Sequence, residues 1–501
     1  MSEQGTLERL EAGMPIPFGG NRYTRVDEAL ARAFAPGDRL LVVQESGALL
    51  HVPAAVDAAA RASVARAQAA FAALADCPRE RVDQFYERFA QALSDDAVWA
   101  DIVAANQEDV ARAAAKGRST TRLKVSDAMR AAMIAGLRAW PGVVGPDHRL
   151  AGEVAHADWR VAIERVPLGV VGFVFEGRPN VLVDACGVLA TGNAAVLRIG
   201  SDALGTARAL VGRALAPALQ AAGLPDGCVS LIDLEDRAGG WALFSDTRLA
   251  LAVARGSGEA VMQLSSVARQ AGVPVSAHGT GGAWMVVDAT GDADHFARSV
   301  TRSLDRKVCN TLNVCCIVRE RAQELVPRFL AAIDAAGAAR GGSPRLHVLP
   351  SAQAYVPDEL YARQVTVRRA EGEVSEPYAT SLAEAQLGRE WEWEDTPELT
   401  LAVVDSVEQA VALFNRYSPH FVASLVSRDA AVRRMFESRV DAPFVCDGFT
   451  RWVDGQYALG KPELGLSNWE HGRLLGRGGV LTGADLSAIR LVAHTESGAA
   501  R

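Results

Sequence analysis

Apolar residues recur at three- and four-residue intervals through VDAAARASVARAQAAFAALA (56–75) and again through MRAAMIAGLRAW (129–140), with charges between them. That period marks amphipathic helices packed on a core, and the alanine content favours the helical state. From residue 166 the texture changes. VPLGVVGFVF (166–175), NAAVLRIG (193–200), CVSLID (228–233) and LALAVARG (249–256) are short apolar runs that end in glycine or polar turns. Helical patterns separate them, which predicts a parallel sheet with helices on its faces. A second series follows: AWMVVDA (283–289), a helix over 292–304, NVCCIV (313–318), a helix over 322–337, LTLAVVDS (399–406) and a helix over 406–417. Two α/β halves in series are expected. The first 50 residues, punctuated by Gly and Pro, hold one strand-like run, RLLVVQ (39–44), and read as an extension or small edge unit.

A chain of 501 residues with 49% apolar and 22% charged residues suits a globular enzyme of two or three domains. The formal charge of −8, with no Lys/Arg stripe interleaved with aromatics, argues against nucleic acid and points to small partners. The N-terminal MSEQGTLERLEAG is acidic where a secretory signal is basic and then apolar. No run approaches the roughly 18 apolar residues of a membrane span. A cytoplasmic, membrane-free protein is expected. The seven cysteines are odd in number and lack a C-x-x-C pair or a histidine cluster, so neither a disulfide framework nor a metal site is expected.

Cys309 lies at a junction, in SLDRKVCNTLNVCCIV (303–318), just after Arg302, Arg306 and Lys307. Cations lower a thiol pKa and activate the thiolate, whereas apolar burial does the reverse. Cys309 is therefore open to two readings, nucleophile or packing, while Cys186, Cys315 and Cys316 read as core thiols. Two strand–turn–helix junctions, at IGSDALG (199–205) and RGSGEAV (255–261), present helix N-termini that suit a phosphate or merely reverse the chain. Neither contains G-x-G-x-x-G.

PLGVVGFVFEGRPNVLVDACGVLATGNAAVLRIGSDA (167–203), KVCNTLNVCCIV (307–318), VDSVEQAVALFNRYSPHFVASLVSRD (404–429) and TRWVDGQYALGKPELGLS (450–467), in this order, resemble the γ-glutamyl phosphate reductases, or glutamate-5-semialdehyde dehydrogenases, of the aldehyde dehydrogenase superfamily. The resemblance runs from about residue 56 to about 495. It implies an α/β, aldehyde dehydrogenase-like fold of two Rossmann-like doubly wound domains plus a β-ribbon oligomerisation arm. The expected division is an N-terminal extension (1–55), a cofactor-binding domain (56–280) with a ribbon near 155–168, a catalytic domain (281–445), and a C-terminal return segment with an oligomerisation strand (446–501). A homodimer or homotetramer is implied.

By the same resemblance Cys309 is the nucleophile. Its thioester would accept hydride from a nicotinamide, and the oxyanion would be met by the Cys309 backbone N–H and the Asn180 side chain. The alternative for Asn180 is a pre-helix cap or turn residue. Arg198, Gly200 and Ser201 fall at the adenosine ribose. A carboxylate common in NAD-preferring relatives is replaced there by Ser201, so NADP(H) is favoured over NAD(H), against which Asp202 weighs unless it caps the next helix. Arg255, Gly256, Ser257 and Gly258 fall beneath the nicotinamide. Arg178, Arg451 and Asn310 are the implied substrate contacts, a structural salt bridge being the alternative for both arginines. Ala277 and His278 stand where hydrolytic relatives carry a glutamate base, which fits a reductase.

The chain departs from the pattern in its first 50 residues, in DRK before the nucleophile, and in the acidic and aromatic stretch between AAIDAAG and LTLAVVDS. The leading expectation is NADPH-dependent reduction of an acyl phosphate in a divergent paralogue, with an acyl kinase or a carrier protein as candidate partner. The alternatives are a reductase of acyl groups on CoA or a carrier protein, and a catalytically silent scaffold.

Overall fold

The structure is a computed structural model. It describes residues 5–495 except 119, 121–122, 145, 158, 176, 370–371, 454–457 and 469–479. Asp158 of the expected ribbon, Glu176 beside the GRPN stretch and 454–457 within TRWVDGQYALG lie outside the described residues.

The first sheet contains β1 (Val170–Phe175), β2 (Ala194–Ile199), β3 (Val229–Leu231), β4 (Leu249–Arg255) and β5 (Val275–His278) in the order β5-β4-β1-β2-β3. All neighbours are parallel. Every residue of β1 and β2 is buried, as expected of parallel strands covered on both faces. Strand order reverses at β1 and β4, so the carboxyl ends there open a crevice of the kind in which open α/β sheets bind ligands.

The second sheet contains β6 (Ala283–Val287), β7 (Leu312–Val318), β8 (Arg345–Val348), β9 (Ala379–Ser381), β10 (Glu398–Val404), β11 (Val422–Val426) and β12 (Phe444–Cys446). Their order is β9-β8-β10-β7-β6-β11-β12, again all parallel. Residues 279–282 run from the carboxyl end of β5 straight to the amino end of β6. The carboxyl edge of the first sheet and the amino edge of the second therefore meet at one cleft. The His278 ring packs on Phe421 across it, with centroids 4.7 Å apart.

The stretch between the helix Ala322–Ala339 and β10 supplies β8, β9 and an antiparallel hairpin, Gln364–Arg369 with Gly372–Pro377. Its polar core is Glu398, 1% exposed, which accepts from Arg345 (2.5 Å), His347 (2.7 Å) and Arg369 (2.9 Å). Burial pushes this carboxyl up, but the His347 and Arg369 contacts outweigh it and hold it at about 2. A buried charge is tolerated only when paired in this way.

The N-terminal unit differs from the single strand expected. It has two hairpins, Pro15–Phe18 with Arg22–Arg25 and Arg39–Val42 with Leu49–Val52, and a short helix, Glu28–Ala33. Pro15 and Pro17 hide the first strand from a pattern search, since proline is tolerated only at edges. The unit is fastened to the body by Ser266 Oγ donating to Glu45 (2.6 Å) and by Arg39 bonded to Asp57 (2.5 Å).

The ribbon also gains a strand. Trp159–Pro167 pairs antiparallel with both Leu150–Ala155 and Ser487–Thr495. Leu150, Val154, Ile489 and Leu491 stay exposed on it. No helix among the described residues is long and apolar enough to cross a membrane.

Candidate active site

Cys309 occupies the turn between the helix Ala293–Arg302 and β7. Thr311 ties this turn: its hydroxyl donates to Arg306 O (2.7 Å) and accepts from Val308 N (2.9 Å). Gly282 N donates to Cys309 O at 2.7 Å, which fastens the turn to the residues entering β6. Glycine is required at both neighbouring positions. A Cβ on Gly281 would sit 2.7 Å from Cys309 Cα and 2.9 Å from Glu390 Oε1, and Gly282 has φ +106°.

Cys309 is half-buried, while Cys186, Cys228, Cys315 and Cys316 are buried in the two cores. Burial pushes Cys315 well up and Cys316 to about 12, as expected of inert thiols. The expectation that the preceding cations lower the Cys309 pKa needs correction. Burial raises it, Arg178 lowers it, Glu390 raises it, and Arg255 and Lys307 lower it, with a net upward shift. Arg302 and Arg306 point to the exterior. The cations that act most on the thiol come from the first sheet, Arg178 after β1 and Arg255 at the end of β4.

Asn180 is half-buried on the same edge and opens the short helix Val181–Ala185 without capping it. Instead its Nδ2 donates to Asp184 Oδ2 at 3.1 Å. Asp184 is a site residue that the sequence concealed, one carboxylate within the apolar run VLVDACGVLA. Burial pushes it up to about 6 against the pull of Arg255, Asn180 and Arg178.

Arg198, Gly200 and Ser201 lie one strand further along, at the carboxyl end of β2. Arg198 is 7% exposed and donates to Glu235 O at 3.2 Å. Asp202 caps nothing. It bonds Arg118 Nη1 at 2.5 Å, so its charge is countered beside Ser201. Gly256 and Ser257 form the turn before the helix Gly258–Gln270, whose first residue abuts Thr280: a Cβ there would meet Thr280 Oγ1.

Asn310 and Arg451, expected at the substrate, are both buried close to the Cys309 turn. Asn310 is fully buried, its backbone oxygen accepts from Thr450 Oγ1 (2.8 Å), and its amide has no protein partner among the described residues. Arg451 is 8% exposed and pairs with Asp305 at 2.7 Å, the salt-bridge alternative. Ala277 and His278 end β5, so no carboxylate arises there. A carboxylate reaches Cys309 from elsewhere. Glu390 accepts from Gly281 N and is bonded to Lys307 Nζ.

The aldehyde dehydrogenase family profile matches residues 43–352, more than half of the chain. The chain belongs to the aldehyde dehydrogenase family. It is 31% identical over 382 residues to γ-glutamyl phosphate reductase of Moorella thermoacetica, covering 73% of this chain and 82% of the relative. The crystal structure of γ-glutamyl phosphate reductase from Thermotoga maritima superposes with a TM-score of 0.74 at 23% identity, over 88% of this chain and all of that one. An acetylating aldehyde dehydrogenase from Geobacillus thermoglucosidasius gives 0.60 at 15% identity, over 89% and 98%. As an aldehyde dehydrogenase family member, the protein is an oxidoreductase acting on aldehyde or acyl groups with a nicotinamide cofactor.

Proposed function

We propose that this enzyme reduces an acyl phosphate, γ-glutamyl phosphate or a close analogue, to the aldehyde with NADPH, through a thioester on Cys309. The observation that carries the reading is the half-buried Cys309 thiol at the meeting edge of the two sheets, under the charges of Arg178 and Arg255. The 31% identical reductase supplies the substrate class.

The Cys309 thiolate attacks the acyl carbon, the C–O bond to phosphate breaks, and phosphate leaves with the bonding pair. Arg178 and Arg255 offset the negative charge that accumulates at the cleft, an electrostatic role that gains strength where water is excluded. Asn180, its amide oriented by Asp184, donates to the carbonyl oxygen as that oxygen gains charge. When bound, the nicotinamide supplies the hydride that converts the acyl group to the aldehyde. Cys309 then departs as thiolate. The absence of a carboxylate at 277 and 278 removes the usual means of activating water against the thioester.

The residues present fit a phosphorylated dinucleotide. Arg198 lies one residue before the end of β2 and Ser201 two residues after it, and the carboxylate next to Ser201, Asp202, is paired with Arg118. Arg198, Gly200 and Ser201 would hold the adenosine end, and Arg255 to Gly258 the nicotinamide end. A guanidinium–phosphate contact contributes on the order of 1 to 3 kcal/mol, roughly a five- to hundredfold preference for NADPH. Arg198→Ala is expected to lower kcat/KM for NADPH more than for NADH, and Ser201→Glu to lower NADPH use further. Equal losses for both cofactors would remove the 2′-phosphate from the account.

The function itself is tested in the oxidative direction, by NADP⁺ reduction with a panel of amino-acid semialdehydes and phosphate, arsenate or CoA as acceptor. Turnover with phosphate and arsenate is expected. Turnover with CoA alone would replace the acyl phosphate by an acyl thioester. The exposed apolar residues of the three-stranded arm support an oligomer, since such patches mark association surfaces. Light scattering is expected to give at least a dimer, and a monomer at micromolar concentration would refute it.

A further inference from the structure

The carboxylate of Glu390 is unusually committed for a residue on an irregular strap. One oxygen accepts from the Gly281 backbone N–H and the other bonds the Lys307 ammonium, whose side chain is only 5% exposed. Lys307 also lies 3.6 Å from Glu392, which is largely exposed. The two residues that Glu390 bridges are both bound to the Cys309 turn. Lys307 precedes Cys309 by two positions, and Gly281 adjoins Gly282, which donates to Cys309 O.

The strap that presents Glu390 is itself fixed. Asn313 in β7 accepts from Trp391 N and donates to Arg389 O, both at 2.9 Å, so it grips the chain on either side of Glu390. The Trp391 indole donates to Thr400 Oγ1 (2.9 Å) and stacks on His347, with centroids 3.5 Å apart and planes 6° apart. His347 is bonded in turn to buried Glu398. Glu390 therefore projects from a rigid base, and its rotamer is set by packing rather than by solvent.

We propose that Glu390 is a positioning residue for the nucleophile, locking the Cys309 turn to Gly281 while holding the Lys307 ammonium in an ion pair that sets the charge felt by the thiol. The inference rests on the reading of Cys309 as nucleophile. The charged groups facing the thiol are Arg178 and Arg255 from the first sheet, Lys307 from its own turn, and Glu390 from the strap. Lys307 and Glu390 are bonded directly to each other. Lys307 is thus a cation whose pull on the thiol is tempered by its partner, on top of the burial that already favours the protonated thiol. Both Glu390 oxygens are occupied, so a proton-accepting role is not assigned to it.

The test is the pH dependence of iodoacetamide alkylation, read on the Cys309 peptide by mass spectrometry. Glu390→Gln removes a negative charge and releases Lys307, so the labelling midpoint is expected to fall by about one pH unit. Lys307→Met is expected to raise it by a similar amount, and Glu390→Asp to return it towards wild type. Midpoints that do not move, or that move in the same direction in Glu390→Gln and Lys307→Met, overturn the proposal. If Glu390→Gln fails to fold, the upward shift in Lys307→Met decides alone, because a purely structural pair would leave the midpoint in place. Labelling reports on the thiol and not on turnover, so its outcome is separate from that of the nucleophile assignment, which activity of Cys309→Ala would refute.

Discussion

Cys309→Ala is expected to lower kcat/KM by at least about 10³-fold, the scale on which removal of a covalent nucleophile acts, while folding and NADP(H) binding persist. The thiol is half-buried in a turn whose ties run through Thr311, Gly282 and Thr450, none of which involves the sulfur. Loss of one sulfur atom there costs about 1 kcal/mol of stability at most. The other thiols of the second sheet are poor substitutes. Cys315 and Cys316 are fully buried and strongly raised, and Cys446 is held in β12 with its pKa also raised by burial. Because the Cys309 pKa is itself raised, the thiolate fraction grows with pH, and the wild-type rate is expected to climb into the alkaline range. A steady-state comparison with fluorescence titration of NADPH measures both halves of this expectation. More than a few per cent of wild-type activity in Cys309→Ala would place the chemistry elsewhere or reveal the protein's activity as unrelated to this thiol.

The second large effect is expected at Asn180. Removing one oxyanion donor typically costs about 10² to 10³ in kcat with little change in substrate affinity, and Asn180→Ala is expected to fall in that range. Its orientation depends on Asp184, since an amide that donates to a carboxylate has its nitrogen end fixed. Asp184 is raised to about 6, so it is a carboxylate above that pH and protonated below it. A protonated Asp184 can turn its own O–H towards Asn180 and release the amide. Activity is therefore expected to fall as pH drops through about 6, and Asp184→Asn is expected to abolish this acid limb while leaving the alkaline rise due to Cys309. A pH profile of kcat/KM for the three proteins separates the two limbs. An unchanged acid limb in Asp184→Asn would detach Asp184 from Asn180.

What was legible in the sequence was what local pattern controls. β1 and β2 are continuous apolar runs because both faces of a parallel sheet are covered, and VCN, GRPN and the two glycine turns are contiguous motifs. What was not legible depends on contacts between distant segments. Lys307 looked like a neighbour that would activate Cys309, but it is paired with Glu390, 83 positions away. Arg302 and Arg306, equally near in sequence, face outwards, and Arg178 and Arg255 arrive from another sheet. β8 and β9 were missed because Arg345 and His347 interrupt one and the other has three residues, so neither shows an apolar run. Glu390 lies in a stretch whose sequence shows only acidic and aromatic character. Its one local signal was the alternation of glutamate with Trp391 and Trp393, whose buried indoles hold the strap to β10 and the adjoining core.

The central claim is that Cys309 carries the acyl group. Incubating the enzyme with an amino-acid semialdehyde and NADP⁺, without phosphate or CoA, and mapping the adduct by peptide mass spectrometry tests it most directly. The account predicts an acyl mass increment on the Cys309 peptide, absent from Cys309→Ala and discharged when phosphate is added. No adduct under conditions where NADPH forms, or an adduct on any other residue, would contradict it.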